Sequence, residues 1–218
     1  MRRIVTISRE FGSGGRELGK RLAEALQVPC YDQQIIEMIA SENGLDQQYV
    51  ANVSEASIEA AYPMTIGHRF ATLPTVPIMD QPIRVAVAQR KVIEQLAQRG
   101  DCVIVGRCAD VILKDMHPLN LFVYADKETK VRRCMERADE NEHLTRQELE
   151  RKIKQVDRDR AHHRMMYDDG KWGAKECYDL CINTSHREIK DLIPALAQFC
   201  RDWFAGREDE QGSAQEKN

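Results

Sequence analysis

Apolar residues fall along this chain in two rhythms. In four short stretches they are nearly continuous: Arg3–Ser8, Asp101–Gly106, Leu119–Ala125 and Tyr178–Asn183. An unbroken apolar run of this length, rich in Val, Ile, Leu and aromatic residues, predicts a strand covered on both faces, as in a parallel sheet. Between these runs the apolar positions recur at steps of three and four. Leu18, Leu22 and Leu26 mark a helix over 16–26, and Ile83, Val87, Val92, Ile93 and Leu96 mark one over 83–99 that stops at Gly100. Val131 and Met135 lie on one face of a helix over 127–138. Thr145-Arg146-Gln147-Glu148 has the form of a capping box and opens a helix over 145–164, and a closing helix covers 189–204.

Strands alternating with helices predict right-handed crossovers, hence an α/β fold with a doubly wound parallel sheet and helices on both faces. One segment departs from the alternation. Residues 33–82 hold helix-like pieces and then a stretch carrying Pro63, Pro74, Pro77 and Pro82, which reads as an inserted lobe. The polar residues 205–218 read as a disordered tail outside a single domain of residues 1–204.

Composition narrows the function classes. A net charge of −3 over 218 residues argues against a general nucleic-acid binder. The seven cysteines form no C-x-x-C pair, and Cys177 and Cys181 have no His at zinc-finger spacing, so no metal site is expected and the thiols read as reduced. No stretch approaches the apolar length of a membrane span, and the N-terminus lacks the apolar core of a signal peptide. The expectation is a soluble, cytoplasmic protein; nothing in the sequence sets its oligomeric state.

The chemistry concentrates where the first strand runs into the first helix: Ile7-Ser8-Arg9-Glu10-Phe11-Gly12-Ser13-Gly14-Gly15-Arg16-Glu17. A buried strand, a glycine-rich turn and a helix N-terminus aim backbone N–H groups and the positive end of a helix dipole at one point, which suits a phosphate. The loop departs from the Walker formula. Arg9 takes the first glycine position and Gly15 the lysine position, and neither Arg16 nor Glu17 after it supplies the hydroxyl. Arg16, or Lys20 one turn later, is then the candidate for the missing charge, and Ser13 for the hydroxyl. The dinucleotide formula fails too, because Glu17 stands where its third glycine belongs.

A second constellation lies at 151–164, with six Lys/Arg against two Asp. Arg160 and Arg164 are one helical turn apart and share a face. Phosphoryl transfer relies on positioned cations, so this segment reads as an arginine-rich lid spanning 145–175, with Arg158, Arg160 and Arg164 as its working residues and Asp157 as their orienter. A solvated, charge-laced helix is the competing reading. The pair His162-His163 reads as surface. Arg107 follows a buried strand at its carboxyl end, where open α/β sheets bind ligands, and is assigned to the acceptor phosphate. Asp32 either reads the acceptor or caps the helix starting near Gln33. Arg69 and Arg84 are weaker candidates.

The loop residues 7–17 resemble the signature of the cytidylate kinase-like family, which carries GSGGRE in place of GSGKGT. Tyr31-Asp32, Val105-Gly106-Arg107, Trp172-Gly173 and Tyr178–Thr184 resemble further segments of that family, so the likeness spans roughly 1–200. The resemblance implies a P-loop kinase fold, a nucleoside-monophosphate lobe, a lid, ATP and Mg²⁺. Gly12, Ser13, Gly14, Gly15, Arg16 and Glu17 would hold the donor nucleotide, Asp32 and Arg107 the monophosphate, and Arg16, Arg158, Arg160 and Arg164 would carry catalysis. The implied reaction moves the ATP γ-phosphoryl to a nucleoside monophosphate such as CMP. Two rivals stay open: a non-catalytic nucleotide-binding module with a degenerate loop, and a dinucleotide-dependent oxidoreductase.

Overall fold

The computed structural model describes residues 2–47, 50, 80–137 and 144–215. Five parallel strands form one sheet in the order β2-β3-β1-β4-β5. They are β1 (Ile4–Arg9), β2 (Cys30–Tyr31), β3 (Cys102–Val105), β4 (Leu119–Tyr124) and β5 (Leu180–Asn183). Register pairs Thr6 with Ile104 on one side and with Asn120 on the other, so β1 lies at the centre. The chain leaving β1 runs toward β2 and the chain leaving β4 toward β5. That divergence opens a crevice at the carboxyl ends of the central strands.

Strand residues alternate between two cores. Ile4, Cys102 and Ile104 pack with α2 (Gln33–Asn43) and α3 (Asp80–Gln98). Val5, Ile7, Val103 and Val105 pack on the opposite face with α1 (Gly15–Leu26) and α7 (Ile189–Gln215). Both faces are therefore apolar, which is why these strands read as unbroken runs. The short α4 (Ala109–Ile112) follows β3, and α5 (Lys127–Glu136) and α6 (Arg146–Met165) follow β4.

The four expected strands and five expected helices are present, and all but the closing helix keep their boundaries within about three residues. The capping box forms with both of its bonds: Thr145 accepts from the Glu148 N–H, and the Glu148 carboxylate accepts from the Thr145 N–H at 2.8 Å. Sequence reading missed β2, because two residues carry no period, and it missed α4. Pro82, expected within the break, falls in the first turn of α3, where a missing N–H costs nothing. The closing helix does not end at Phe204 but continues to Gln215, so residues 205–215 are helical rather than disordered. Extending an existing helix through Ala, Arg, Glu and Gln is far easier than starting one. Of the expected inserted lobe, α2 and the start of α3 are described; residues 51–79, with Arg69, lie outside the described residues. Among the described residues no helix is long and apolar enough to cross a membrane.

Candidate functional site

The glycine loop bridges β1 and α1. Gly12 and Gly14 take positive φ, +76° and +84°, and Gly14 is the N-cap of α1. The helical ladder starts with the Leu18 N–H donating to Gly14 O at 2.9 Å. The N–H groups of Gly15, Arg16 and Glu17 precede it and have no intrahelical acceptor, the arrangement that suits an anion. Packing supplies a second reason for the glycines. A Cβ on Gly12 would lie 2.9 Å from Lys130 O, one on Gly14 2.7 Å from Ile189 Cδ1, and one on Gly15 2.5 Å from Arg9 Cβ.

Groups from outside the loop hold it in shape. Arg133 on α5 donates to Ser13 O (2.8 Å), Thr184 Oγ1 (2.9 Å), Thr184 O (3.0 Å) and Arg187 O (2.8 Å). The guanidinium is buried, so these bonds join the loop to the turn after β5 with little competition from water. Lys130 Nζ pairs with Glu10 at 3.0 Å and with Asp157 at 3.4 Å. Asp157, on α6, also accepts the Phe11 N–H at 2.7 Å. Burial pushes the Asp157 carboxyl up, against the Phe11 N–H and the charges of Lys130 and Arg160, which pull the other way.

In front of the loop, at the carboxyl ends of β1 and β3, lies a cleft. Arg9, Arg107, Arg160 and Arg164 line it against a single carboxylate, Asp110. Arg107 sits in the left-handed region at φ +59° and is buried. Its carbonyl accepts from Gln89 Nε2 at 3.1 Å, and the same amide donates to the Tyr167 hydroxyl at 3.1 Å. Arg160 Nη1 donates to Arg9 O at 3.0 Å, and its guanidinium stands 5.9 Å from the Phe11 ring centre. Arg164 is buried in an ion pair with Asp110 and stands 5.5 Å from the Tyr178 ring centre. Burial alone would lower the Arg164 pKa, but Asp110 outweighs it and the net shift is upward, so this cation stays charged.

The expected site residues therefore divide. Gly12, Ser13, Gly14 and Gly15 form the loop, although the Ser13 hydroxyl is buried and donates to Glu10 O at 2.8 Å. Arg16 extends to the rim, 67% exposed, with Nε 2.5 Å from Asp32. Asp32 does head α2, but its carboxylate accepts no capping bond and faces Arg16 and, at 3.9 Å, Arg9. Glu17 is occupied by Arg21 and Arg137. Burial pushes its carboxyl up, yet those two arginines prevail and hold it below its ordinary value. Arg107, Arg160 and Arg164 meet in the cleft, whereas Arg158 is on the exposed side of α6, outside that lining. Arg84 is exposed. His163, expected on the surface beside His162, is buried against Tyr167, with ring centres 5.3 Å apart, and lines the cleft; only His162 is exposed.

Sequence reasoning missed Arg9, Asp110, Lys130 and Arg133. Arg9 was within reach, because it ends a buried strand as Arg107 nearly does. The other three carry no local signal. Their roles come from partners more than fifty residues away in the case of Asp110, and more than a hundred for Lys130–Glu10 and Arg133–Ser13.

Comparison with known proteins agrees with this architecture. A solved structure of an uncharacterized protein from Eubacterium ventriosum ATCC 27560 matches with TM-score 0.65 at 25% identity, covering 91% of this chain and 98% of that one. Shikimate kinase from Bacteroides thetaiotaomicron matches with TM-score 0.55 at 14% identity, covering 92% and 99%. Shikimate kinase from Acinetobacter baumannii, in complex with shikimate, matches with TM-score 0.52 at 15% identity, covering 93% and 94%. These kinases are similar in fold. No curated protein matches the sequence. The family model described as the cytidylate kinase-like family matches residues 4–186, and the chain, a P-loop kinase fold carrying a glycine loop beside an arginine-lined cleft, belongs to that family.

Proposed function

We propose that this protein is a nucleotide phosphotransferase that moves the γ-phosphoryl group of ATP to a nucleoside monophosphate, with CMP as the acceptor. The observation that carries the reading is the cleft. Four arginines against one carboxylate, beside a helix N-terminus whose first N–H groups have no intrahelical acceptor, favour a ligand rich in phosphate.

In this reading the N–H groups of Gly15, Arg16 and Glu17 take the donor phosphates, with Gly12, Ser13 and Gly14 shaping the loop. The Arg16 side chain screens them at the rim. Arg107 and Asp32 hold the acceptor, Arg107 on its phosphate and Asp32 on its nucleoside. An acceptor phosphate oxygen forms a bond to Pγ as the bond from Pγ to the bridging oxygen breaks, and the electron pair leaves with ADP. Arg160 and Arg164 neutralise the transferred group, and Arg158 joins them when the 145–175 segment closes as a lid. Residues 33–82 serve as the monophosphate lobe. Closure excludes water, which would otherwise take the phosphoryl group.

ATP is used with Mg²⁺ in such reactions, where the ion neutralises phosphate charge. The loop offers it no ligand: Gly15 replaces the lysine, neither Arg16 nor Glu17 supplies the hydroxyl, Glu17 is engaged by two arginines, and Ser13 donates to a carbonyl. No step here is therefore routed through the ion. Seven free thiols and a net charge of −3 support a cytoplasmic enzyme acting on small molecules rather than nucleic acid.

The same loop supports a second reading, a nucleotide-binding module without turnover. The test incubates the purified protein with ATP, Mg²⁺ and a panel of nucleoside monophosphates. The expected result is ADP and a nucleoside diphosphate in equal amounts, fastest with CMP. Nucleotide-dependent thermal stabilisation without any diphosphate would replace the enzyme by the module.

A further inference from the structure

We infer that Arg9 supplies the donor-phosphate cation that the loop lost when glycine replaced the Walker lysine. The inference rests on the phosphotransferase reading. In the P-loop formula a lysine just after the last loop glycine reaches the β- and γ-phosphates, and the loop opens with a glycine. Here both positions are changed together: the first holds Arg9 and the lysine position holds Gly15.

The structure shows that the two changes are complementary. The space that a side chain at Gly15 would enter first is filled by the stem of Arg9, whose Cβ and Cγ lie 2.5 and 3.0 Å from the site of a Gly15 Cβ. Arg9 thus occupies the volume a lysine at 15 would need. At the far end, the Arg9 guanidinium passes across Gly106, where any Cβ would fall 1.7 Å from Nη1. Gly106, at φ +77°, clears its path. The side chain is buried, its guanidinium stands 3.9 Å from Asp32, and it lines the same cleft as Arg107, Arg160 and Arg164.

Position separates Arg9 from Arg16. Arg16 is two-thirds exposed at the rim. Arg9 is held from β1, the central strand, and its backbone carbonyl is fixed by Arg160. A cation placed before substrate arrives stabilises the transferred group without reorganising during the reaction.

The experiment is a charge swap. Arg9→Gln, Arg9→Gly, Gly15→Lys and the double variant Arg9→Gly/Gly15→Lys are compared for kcat, KM and ATP affinity by calorimetry, with thermal unfolding of each variant as the folding control. Arg9→Gln and Arg9→Gly are expected to lose about 10²–10³-fold in kcat, in line with removal of a transition-state donor. Gly15→Lys alone is expected to unfold early, because its Cβ meets the Arg9 stem. The double variant is expected to regain at least about tenfold over Arg9→Gly, a coupling that independent sites do not show. A kcat for Arg9→Gln within about threefold of the unaltered protein, or a double variant no better than Arg9→Gly, overturns the inference. If the unaltered protein transfers no phosphoryl group, the phosphotransferase reading fails, and ATP affinity still decides Arg9. A loss of about tenfold in Arg9→Gly that the swap restores upholds its role, and unchanged affinity ends it. If Arg9→Gly does not fold, Arg9→Lys takes its place, expected to keep ATP affinity within about threefold while kcat falls.

Discussion

Two groups of cations flank the glycine loop, and they do different work. Behind the loop, Lys130 and Arg133 come from α5. Lys130 is matched by Glu10 and Asp157, and Arg133 by three backbone carbonyls and a hydroxyl. In front, Arg9, Arg107, Arg160 and Arg164 face an open cleft with one carboxylate among its lining residues. Residue type does not separate the groups, since each contains a buried arginine. What separates them is where they sit: one group braces the loop from behind, and the other lines the cleft. A matched cation fixes the shape of the loop, and a surplus of cations around a cavity calls for an anionic ligand.

The comparison can be broken most sharply at Arg160. Arg160→Ala is expected to lower kcat for diphosphate formation by about 10³-fold. Its unfolding midpoint should fall less than that of Arg133→Ala, which loses four bonds holding the loop to the turn after β5. A midpoint loss without a rate loss would move Arg160 to the structural group.

Arg164 tests the boundary, because it lines the cleft and is also paired. Arg164→Ala leaves Asp110 buried without its partner and is expected to cost about 3–5 kcal/mol in denaturant unfolding. Adding Asp110→Ala should recover part of that stability without restoring transfer. Full recovery of transfer in the double variant would make the pair purely architectural.

Arg133→Ala removes the donor to Ser13 O, Thr184 O and Arg187 O, with an expected loss of about 3 kcal/mol in stability. Nucleotide affinity should fall with it, because the loop loses its brace. Loss of affinity with unchanged stability would place Arg133 with the front group. Gly14→Ala is milder, at about 1–2 kcal/mol, since alanine disfavours φ +84° and its Cβ meets the movable tip of Ile189.

The smallest effect concerns pH. Burial raises the Asp157 pKa in the folded state above its ordinary value near 3.8. The folded protein therefore binds this proton more tightly than the unfolded chain does. Asp157 disfavours the folded state at neutral pH, and that penalty is relieved as pH falls through the raised value toward 3.8. Asp157→Asn should keep the acceptor for Phe11 N–H and flatten the stability profile in that window. An unchanged profile would show that Lys130 and Arg160 already compensate the burial.

Much of this was legible in the chain. The unbroken apolar runs placed four strands because a sheet covered on both faces leaves no polar alternation. Three glycines between a strand and a helix located the anion site, and Thr145 with Glu148 marked the start of α6. Arg107, Arg160 and Arg164 were found by asking which cations the strand ends and one helix face would present. The two-residue β2 was not legible, nor was the burial of His163, which depends on Gln89 and Tyr167 lying beside it. The continuation of α7 past Phe204 was hidden by a polar composition that suits a tail as well as a helix.

Local sequence by itself determined the order of strands and helices, the family signature and the existence of a glycine loop, because each rests on hydrogen bonding and burial within a few residues. Only the tertiary structure decided which arginines line the cleft and which brace the loop. Arg9 and Arg133 are equally charged as letters in the chain. One meets a cleft and the other three carbonyls, and those partners come from parts of the chain that only folding brings together.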